Sequence, residues 1–338
     1  MWLFGTAPEE PLEAAGNNAP ITDLYFINKR GERQHLRIYV PEGGEKAKAV
    51  MFFWHGYGGH NSNKHKIALG KSLAEQGYLV VQPDLIGHGY SEGERAFAEN
   101  WQHWIDDHEY LIELFLAGPP EDGNKIHSLG ISAAATEGLP FFIGGESLGG
   151  GQCLALSLRL KSHQLQERFK GMCLLAPAIK GNLPPAVVVF ILRHTAAKLF
   201  PKAQIPDALE SVRRPNKVWK TPESLAAAEL DRWGKCKDSL GWGHNMRFGM
   251  AMQMLDQCIH VEERLDQIDS PFLVMHDPED GVIQFAGTEM LMERSPSAEK
   301  KCIEMHEGLH DLATNCGPEI SKHMAEWMGA RLKLGNQA

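Results

Sequence analysis

Apolar residues along this chain come in two rhythms. Short unbroken runs alternate with longer stretches in which apolar positions recur every three to four residues. Residues 49–54 (AVMFFW) and 78–82 (YLVVQ) are of the first kind, with 139–143 (LPFFI), 171–176 (GMCLLA), 272–275 (FLVM) and 302–305 (CIEM) as further strand candidates. An apolar run of that length without alternation suits a strand buried on both faces. Residues 67–76, stopping at Gly77, and 101–115 have helical spacing; in the second, Trp104, Ile105, His108, Leu111, Ile112 and Phe115 fall broadly on one side. Residues 21–40 read as a β-hairpin: ITDLYFIN, a turn at Lys29-Arg30-Gly31, then ERQHLRIYV with partial alternation. Strands alternating with helices predict an α/β fold: a doubly wound, mostly parallel, eight-stranded sheet covered on both faces.

The alternation breaks between about residues 179 and 240. Prolines stand at 184, 185, 201, 206, 215 and 222, and helical pieces such as 186–199 are expected, with nothing resembling a core strand. This stretch reads as a helical cap inserted over the C-terminal edge of the sheet. The expected organisation is a loose tail at 1–20, a first core segment at 21–179, the cap at 180–240 and a second core segment at 241–338. Residues 117–138, rich in Gly, Ser and Ala, are expected to form a long loop.

Composition narrows the classes. At 338 residues, with 43% hydrophobic and 23% charged residues, the chain suits one enlarged globular domain or a domain with an insertion. A formal charge of −9 and no Lys/Arg-rich run argue against nucleic acid as a partner. Six scattered cysteines without C-x-x-C suggest reduced thiols, hence a cytoplasmic setting. The N-terminus lacks the basic region and long apolar core of a signal peptide, and no stretch approaches the roughly 18 apolar residues of a membrane span.

Residues 141–151 (FFIGGESLGGG) carry the chemistry. Gly145-Glu146-Ser147-Leu148-Gly149 matches G-x-S-x-G, with a strand-like stretch before it and a helix-like stretch (153–160) after it. At such a strand-to-helix turn the serine sits in strained backbone and presents its hydroxyl above the sheet, while Gly145 and Gly149 relieve crowding. A serine hydroxyl needs a base, and the base needs an orienting carboxylate, following the serine in the order acid, then histidine. The strand at 272–275 runs into His276-Asp277-Pro278-Glu279-Asp280, so Asp277, Glu279 and Asp280 compete for the acid. His310, in a loop after the last strand, is the base candidate; His306, at the strand's end, is expected to be structural. Oxyanion donors are expected from the backbone N–H of Leu148 and of Tyr57. Tyr57 lies in the His55-Gly56-Tyr57-Gly58 loop after the strand 49–54, where His55 would orient the loop.

Competing chemistries carry weaker signals. His55, His60 and His65, or His103 and His108, show no HExxH or carboxylate-rich pattern, so no metal is expected. Residues 144–151 lack the lysine of a phosphate-binding loop. Asp84 and His88 read as loop-stabilising. A non-catalytic ligand receptor is the reading from another class, and three catalytic group types in the required order weigh against it.

WHGYGG (54–59), DLIGHGYSEG (84–93), GESLGG (145–150) and a late Gly308-Leu309-His310 together resemble the monoacylglycerol lipase family of serine hydrolases, also called serine aminopeptidase S33-like. That family includes plant lysophospholipases and caffeoylshikimate esterases. The resemblance spans about residues 21–335, and Glu146 is similar to the plant-type members. It implies the α/β-hydrolase fold and a Ser147–His310–Asp280 triad: the family's acid loop reads H-G-x-x-D, and His276 to Asp280 fits it with Asp277 in place of the glycine. It also implies a cap that shapes an acyl tunnel and no cofactor. The substrate class implied is a lipid ester, monoacylglycerol or lysophospholipid, with small or phenolic esters or acyl transfer as alternatives. Apolar residues 187–192 in the cap are either core packing or a weak contact with membrane or lipid droplets. The sequence carries no signal for an oligomeric state.

Overall fold

Eight strands arise from the stretches that the apolar runs predict: β1 (Ile21–Ile27), β2 (Arg33–Tyr39), β3 (Val50–Trp54), β4 (Leu79–Pro83), β5 (Phe141–Glu146), β6 (Phe169–Leu175), β7 (Phe272–His276) and β8 (Lys300–Glu304). The computed structural model describes residues 21–41, 46–117, 136–206, 218–223, 225–226 and 240–335. Among these residues the strands form one sheet, ordered β1-β2-β4-β3-β5-β6-β7-β8. The hairpin β1–β2 is antiparallel, and β2 runs antiparallel to β4. From β4 onward all neighbours are parallel. The expected tail at 1–20, most of the expected loop at 117–138 and parts of the expected cap (207–217, 224 and 227–239) lie outside the described residues.

The unbroken apolar runs of β3, β4, β5 and β7 follow from burial on two faces, whereas β8, at the end of the sheet, is only partly buried, so the stretch at 302–305 is an edge strand. Along β3, Val50, Phe52 and Trp54 enter one core, while Met51 and Phe53 enter the other. The same split divides Phe272 and Val274 from Leu273 and Met275 in β7. One face is covered by α1 (Lys64–Glu75) and the C-terminal α9 (Gly317–Gly335), through Leu69, Leu73, Ile320, Met324 and Met328. The other is covered by α2 (Gln102–Ala117), α3 (Leu148–Leu160), α6 (Phe248–Glu262) and α7 (Phe285–Arg294), through residues such as Leu111, Leu154, Met250 and Leu291. This is the doubly wound arrangement that the alternation predicts.

Two elements differ from the pattern, and the helices after residue 240 go beyond it. The helix expected from 153 begins at Leu148, because tertiary contacts override the poor helix propensity of Gly149, Gly150 and Gly151. The helical stretch expected at 186–199 is two helices, α4 (Ala186–His194) and α5 (Ala196–Leu199). They break at Thr195, whose hydroxyl donates back to the Ile191 carbonyl at 2.6 Å. The helix α6, not among the helical stretches expected, packs on α3 and also on α4 and α5. A short α8 (Leu312–Asn315) follows the loop after β8.

A buried charge cluster fastens the antiparallel edge to the parallel sheet. His35 in β2 is 0% exposed, with Nδ1 2.9 Å from Asp84 Oδ2 and Nε2 3.0 Å from Asp23 Oδ1. A carboxylate on each nitrogen requires both to donate, so the ring is an imidazolium. Burial opposes that charge, but Asp84 and Asp23 outweigh it and hold the His35 pKa above its usual value. Burial likewise opposes ionisation of both aspartates; His35 outweighs it for Asp84, and His35 with Arg37 for Asp23, so both stay below their usual range. Asp84 also accepts from the backbone of Asn61 (2.7 Å) and Tyr90 (3.0 Å), which orders the loops after β3 and β4. Asp84 and its loop thus have the structural role that the sequence predicts.

The raised His35 pKa contributes stability that is complete below its unfolded value of 6.5 and is lost as pH rises through the folded value. The lowered aspartates contribute above their unfolded value of 3.8 and are lost as pH falls through theirs. The Tm difference between the native protein and His35→Gln is therefore expected to be largest between about pH 4 and 6.5 and to shrink above that. A difference that stays constant from pH 5 to 9 would exclude a charged His35.

Candidate active site

Ser147 stands between β5 and α3 with φ 53° and ψ −114°, a conformation that non-glycine residues avoid. Its backbone is pinned on three sides: Ser147 N–H donates to Leu175 O (2.9 Å), and Ser147 O accepts from Gly151 N (3.0 Å) and Ala178 N (2.9 Å). The flanking glycines are required by contact. A Cβ on Gly145 would lie 2.5 Å from the Gly149 carbonyl carbon, and one on Gly149 would lie 2.5 Å from Trp54 O. The G-x-S-x-G pattern is thus the packing condition of the turn.

The C-terminal ends of β7 and β8 bring the other two groups to the serine. His310 Nε2 lies 3.0 Å from Ser147 Oγ, and His310 Nδ1 lies 2.7 Å from Asp280 Oδ2. With Nδ1–H donating to the carboxylate, Nε2 is left to accept the serine proton. Asp280 Oδ1 accepts from the backbone N–H of Val282 (2.7 Å) and Ile283 (3.0 Å). Burial would raise the Asp280 pKa, but His310, His276 and their hydrogen bonds outweigh it and hold the carboxyl far below its usual value.

The carboxylates competing in sequence occupy different places. Asp277 Oδ2 accepts from the backbone N–H of Gly308 (3.0 Å) and Leu309 (2.7 Å), so it braces the turn that carries His310. Leu309 holds φ 44°, a second strained residue beside a candidate catalytic group. Glu279 is exposed. His306 is also exposed and pairs with Glu304, apart from His310.

The His55–Gly59 loop leaves β3 beside the elbow, since Trp54 is paired with Gly145 across the sheet. His55 is fully buried: its Nδ1–H donates to Gly56 O (2.8 Å) and its Nε2 accepts from Leu85 N (3.0 Å). Burial lowers its pKa to about 4, which keeps it neutral as a bridge between two loops. Gly58, at φ 71°, accepts at its carbonyl from Trp242 N (2.8 Å). Tyr57 lies in this loop, and Leu148 is the first residue of α3.

Two residues escaped functional assignment from sequence. His276 Nε2 lies 3.1 Å from Asp280 Oδ2 while its Nδ1 meets Thr288 Oγ1 at 2.8 Å, giving the acid a second imidazole partner. Its only sequence signal is its place at the start of the acid loop. Lys66, on α1, forms a buried ion pair with Glu146; helical spacing alone gives no reason to connect it with the serine.

Comparisons with known proteins place the chain as a whole. The family model described as serine aminopeptidase, S33, matches residues 45–316. The chain is similar to monoglyceride lipase of Rattus norvegicus, 26% identical over 326 residues and covering 94% of each chain. It is similar to caffeoylshikimate esterase of Arabidopsis thaliana, 25% identical over 98% of this chain and 92% of that one. Among solved structures, a soluble variant of monoglyceride lipase from Saccharomyces cerevisiae, in complex with a substrate analog, matches with a TM-score of 0.71 at 18% identity. That match covers 95% of this chain and 99% of that one. Monoacylglycerol lipase from Paleococcus ferrophilus matches with a TM-score of 0.66 at 17% identity, covering 92% and 99%. Its sheet, its flanking helices and the family match across residues 45–316 establish that the chain belongs to the serine aminopeptidase S33 family of α/β-hydrolases.

Proposed function

We propose that the protein hydrolyses carboxylic esters of lipids, of the monoacylglycerol or lysophospholipid class, through an acyl-enzyme on Ser147. The observation that carries this reading is the continuous chain Ser147 Oγ–His310–Asp280, with contacts of 3.0 and 2.7 Å, at a strained strand-to-helix turn. Ser147 Oγ attacks the ester carbonyl as its proton passes to His310 Nε2. The resulting imidazolium is stabilised by Asp280, which stays ionised. The carbonyl oxygen becomes an oxyanion facing the Tyr57 and Leu148 N–H groups, each such donor contributing about 3–4 kcal/mol. His310 then protonates the leaving alcohol. Water, activated by the same histidine, releases the fatty acid and returns the proton to Ser147. This cycle uses no cofactor.

The lipid preference is supported by the similarity to monoglyceride lipases and by the surface of the cap region, residues 180–240 in this reading. Leu183, Val187, Phe190, Ile191, Leu199 and Phe200 are 53% to 67% exposed, an apolar face that suits contact with a lipid surface. Among the described residues no helix is long and apolar enough to cross a membrane, so such contact would be peripheral. The second reading, a phenolic ester, is supported by the similarity to caffeoylshikimate esterase. A panel of monoacylglycerols, lysophospholipids and phenolic esters ranks the two by kcat/KM.

A fluorophosphonate probe is expected to label the native protein and not Ser147→Ala, whose kcat should fall on the order of 10⁶-fold. An unlabelled native protein would sink the hydrolase reading. Asp280→Asn is expected to lower kcat about 10⁴-fold, as loss of the tautomer-fixing acid does. Asp277→Asn should cost much less, and abolition of activity by Asp277→Asn alone would transfer the acid role to Asp277. For the cap, the pair Phe190→Asp and Ile191→Asp is expected to release the protein from phosphatidylcholine vesicles in a flotation assay. Equal flotation of variant and native protein would count against lipid contact there.

A further inference from the structure

Lys66 lies in the first turn of α1 and is 6% exposed. Its ammonium pairs with Glu146 Oε2 and lies 4.0 Å from Asp311 Oδ1. Glu146 immediately precedes Ser147, and Asp311 immediately follows His310. Both carboxylates are buried, at 2% and 7% exposure. One cation therefore stands between the residue next to the serine and the residue next to the histidine. With His55, Gly56 and Gly59, the same three side chains line a small cavity of about 20 Å³, so the cluster also abuts the loop that carries Tyr57.

Asp311 is bound on its other side by Val218 and Trp219 of the cap region. Trp219 Nε1 donates to Asp311 Oδ2 at 3.1 Å, and Val218 O accepts from Asp311 N (3.3 Å) and Asn315 Nδ2 (3.1 Å). Lys220 Nζ donates to His306 O (3.2 Å) and pairs with Glu307 at 2.6 Å. Val218 and Trp219 are buried at 2% and 5% exposure, whereas the neighbouring cap helices α4 and α5 contain no buried residue. Among the described residues of the cap region, this segment is anchored against the loop of His310.

Two buried carboxylates side by side repel and are costly to desolvate unless a cation answers both. A buried ion pair is weak evidence for stability, since apolar replacement is often neutral. Its placement here has a different use. Proton transfer from Ser147 to His310 needs a heavy-atom separation of about 2.6–3.2 Å, and the two residues arrive from distant parts of the chain. We propose that Lys66, acting through Glu146 and Asp311, is a positioning residue that sets the Ser147–His310 separation and makes it depend on the seating of residues 218–220. The inference rests on the ester-hydrolase reading and adds a mechanical link between the cap and the chemical step.

The test uses the full chain, with active sites titrated by fluorophosphonate, and compares Lys66→Met, Lys66→Arg and Trp219→Phe. Lys66→Met is expected to lower kcat per titrated site, and the rate of fluorophosphonate labelling, by up to about 100-fold with KM little changed. Lys66→Arg should restore most of the loss. Trp219→Phe removes the Nε1–H bond together with part of the indole's packing, and should lower kcat about 10-fold. The proposal is overturned by a Lys66→Met variant with native kcat per site, by a loss confined to KM, or by Lys66→Arg as impaired as Lys66→Met. Should Lys66→Met fail to fold, native kcat in Trp219→Phe overturns it instead. A native protein that is not labelled at all refutes the hydrolase reading itself, whereas a labelled native protein with an indifferent Lys66→Met refutes only the positioning role.

Discussion

At Ser147 the chain passes from β5 into α3 through φ 53° and ψ −114°, and this one strained residue conditions everything around it. Such a conformation costs about 1–3 kcal/mol and persists only where the surroundings over-determine it. Here they do: Leu175 and Ala178 hold the Ser147 backbone from the end of β6, and Gly149 presses against the carbonyl of Trp54 at the end of β3. The parallel neighbours of β5 therefore serve as a vice for the turn. The strain leaves the hydroxyl at the edge of the sheet, facing the loops from β7 and β8.

The second condition is that a histidine more than a hundred residues away reach that hydroxyl. Two aspartates divide the work. Asp280 carries the hydrogen bond to His310, and Asp277 holds the backbone of Gly308 and Leu309 so that the histidine turn has one shape. His276 gives Asp280 a second partner, and the Lys66 cluster joins the residues flanking both Ser147 and His310. The polar groups around the serine are thus largely interlinked, as buried groups must be. Farther off, the His35–Asp84 contact orders the loops after β3 and β4, one of which carries Tyr57.

Much of this was legible in the chain because it is local. Six strand-like stretches and a hairpin foretold eight strands; in β3, β4, β5 and β7 burial on both faces leaves no room for polar alternation, while β8 is a half-exposed edge strand. Gly145-x-Ser147-x-Gly149 was legible because steric demands at a tight turn fall on the immediate neighbours. What misled was equally physical. Three glycines after Leu148 hid the first turn of α3, whose stability comes from packing on the sheet and not from propensity.

Sequence by itself determined the strands, their order and the residue kinds at the candidate nucleophile, acid and base positions. It left Asp277, Glu279 and Asp280 as equivalents from the residues alone, because three carboxylates within four positions have the same chemistry until a partner is specified. Tertiary structure separated them: Asp280 meets His310, Asp277 meets the backbone of its loop, and Glu279 meets solvent. Lys66, too, acquires its connection to Ser147 and His310 only when α1, β5 and the last loop converge. The distinction is one of range. Backbone sterics and burial patterning act over a few residues and are written in the chain, whereas hydrogen-bond partners and charge neutralisation depend on which distant segments the sheet brings together.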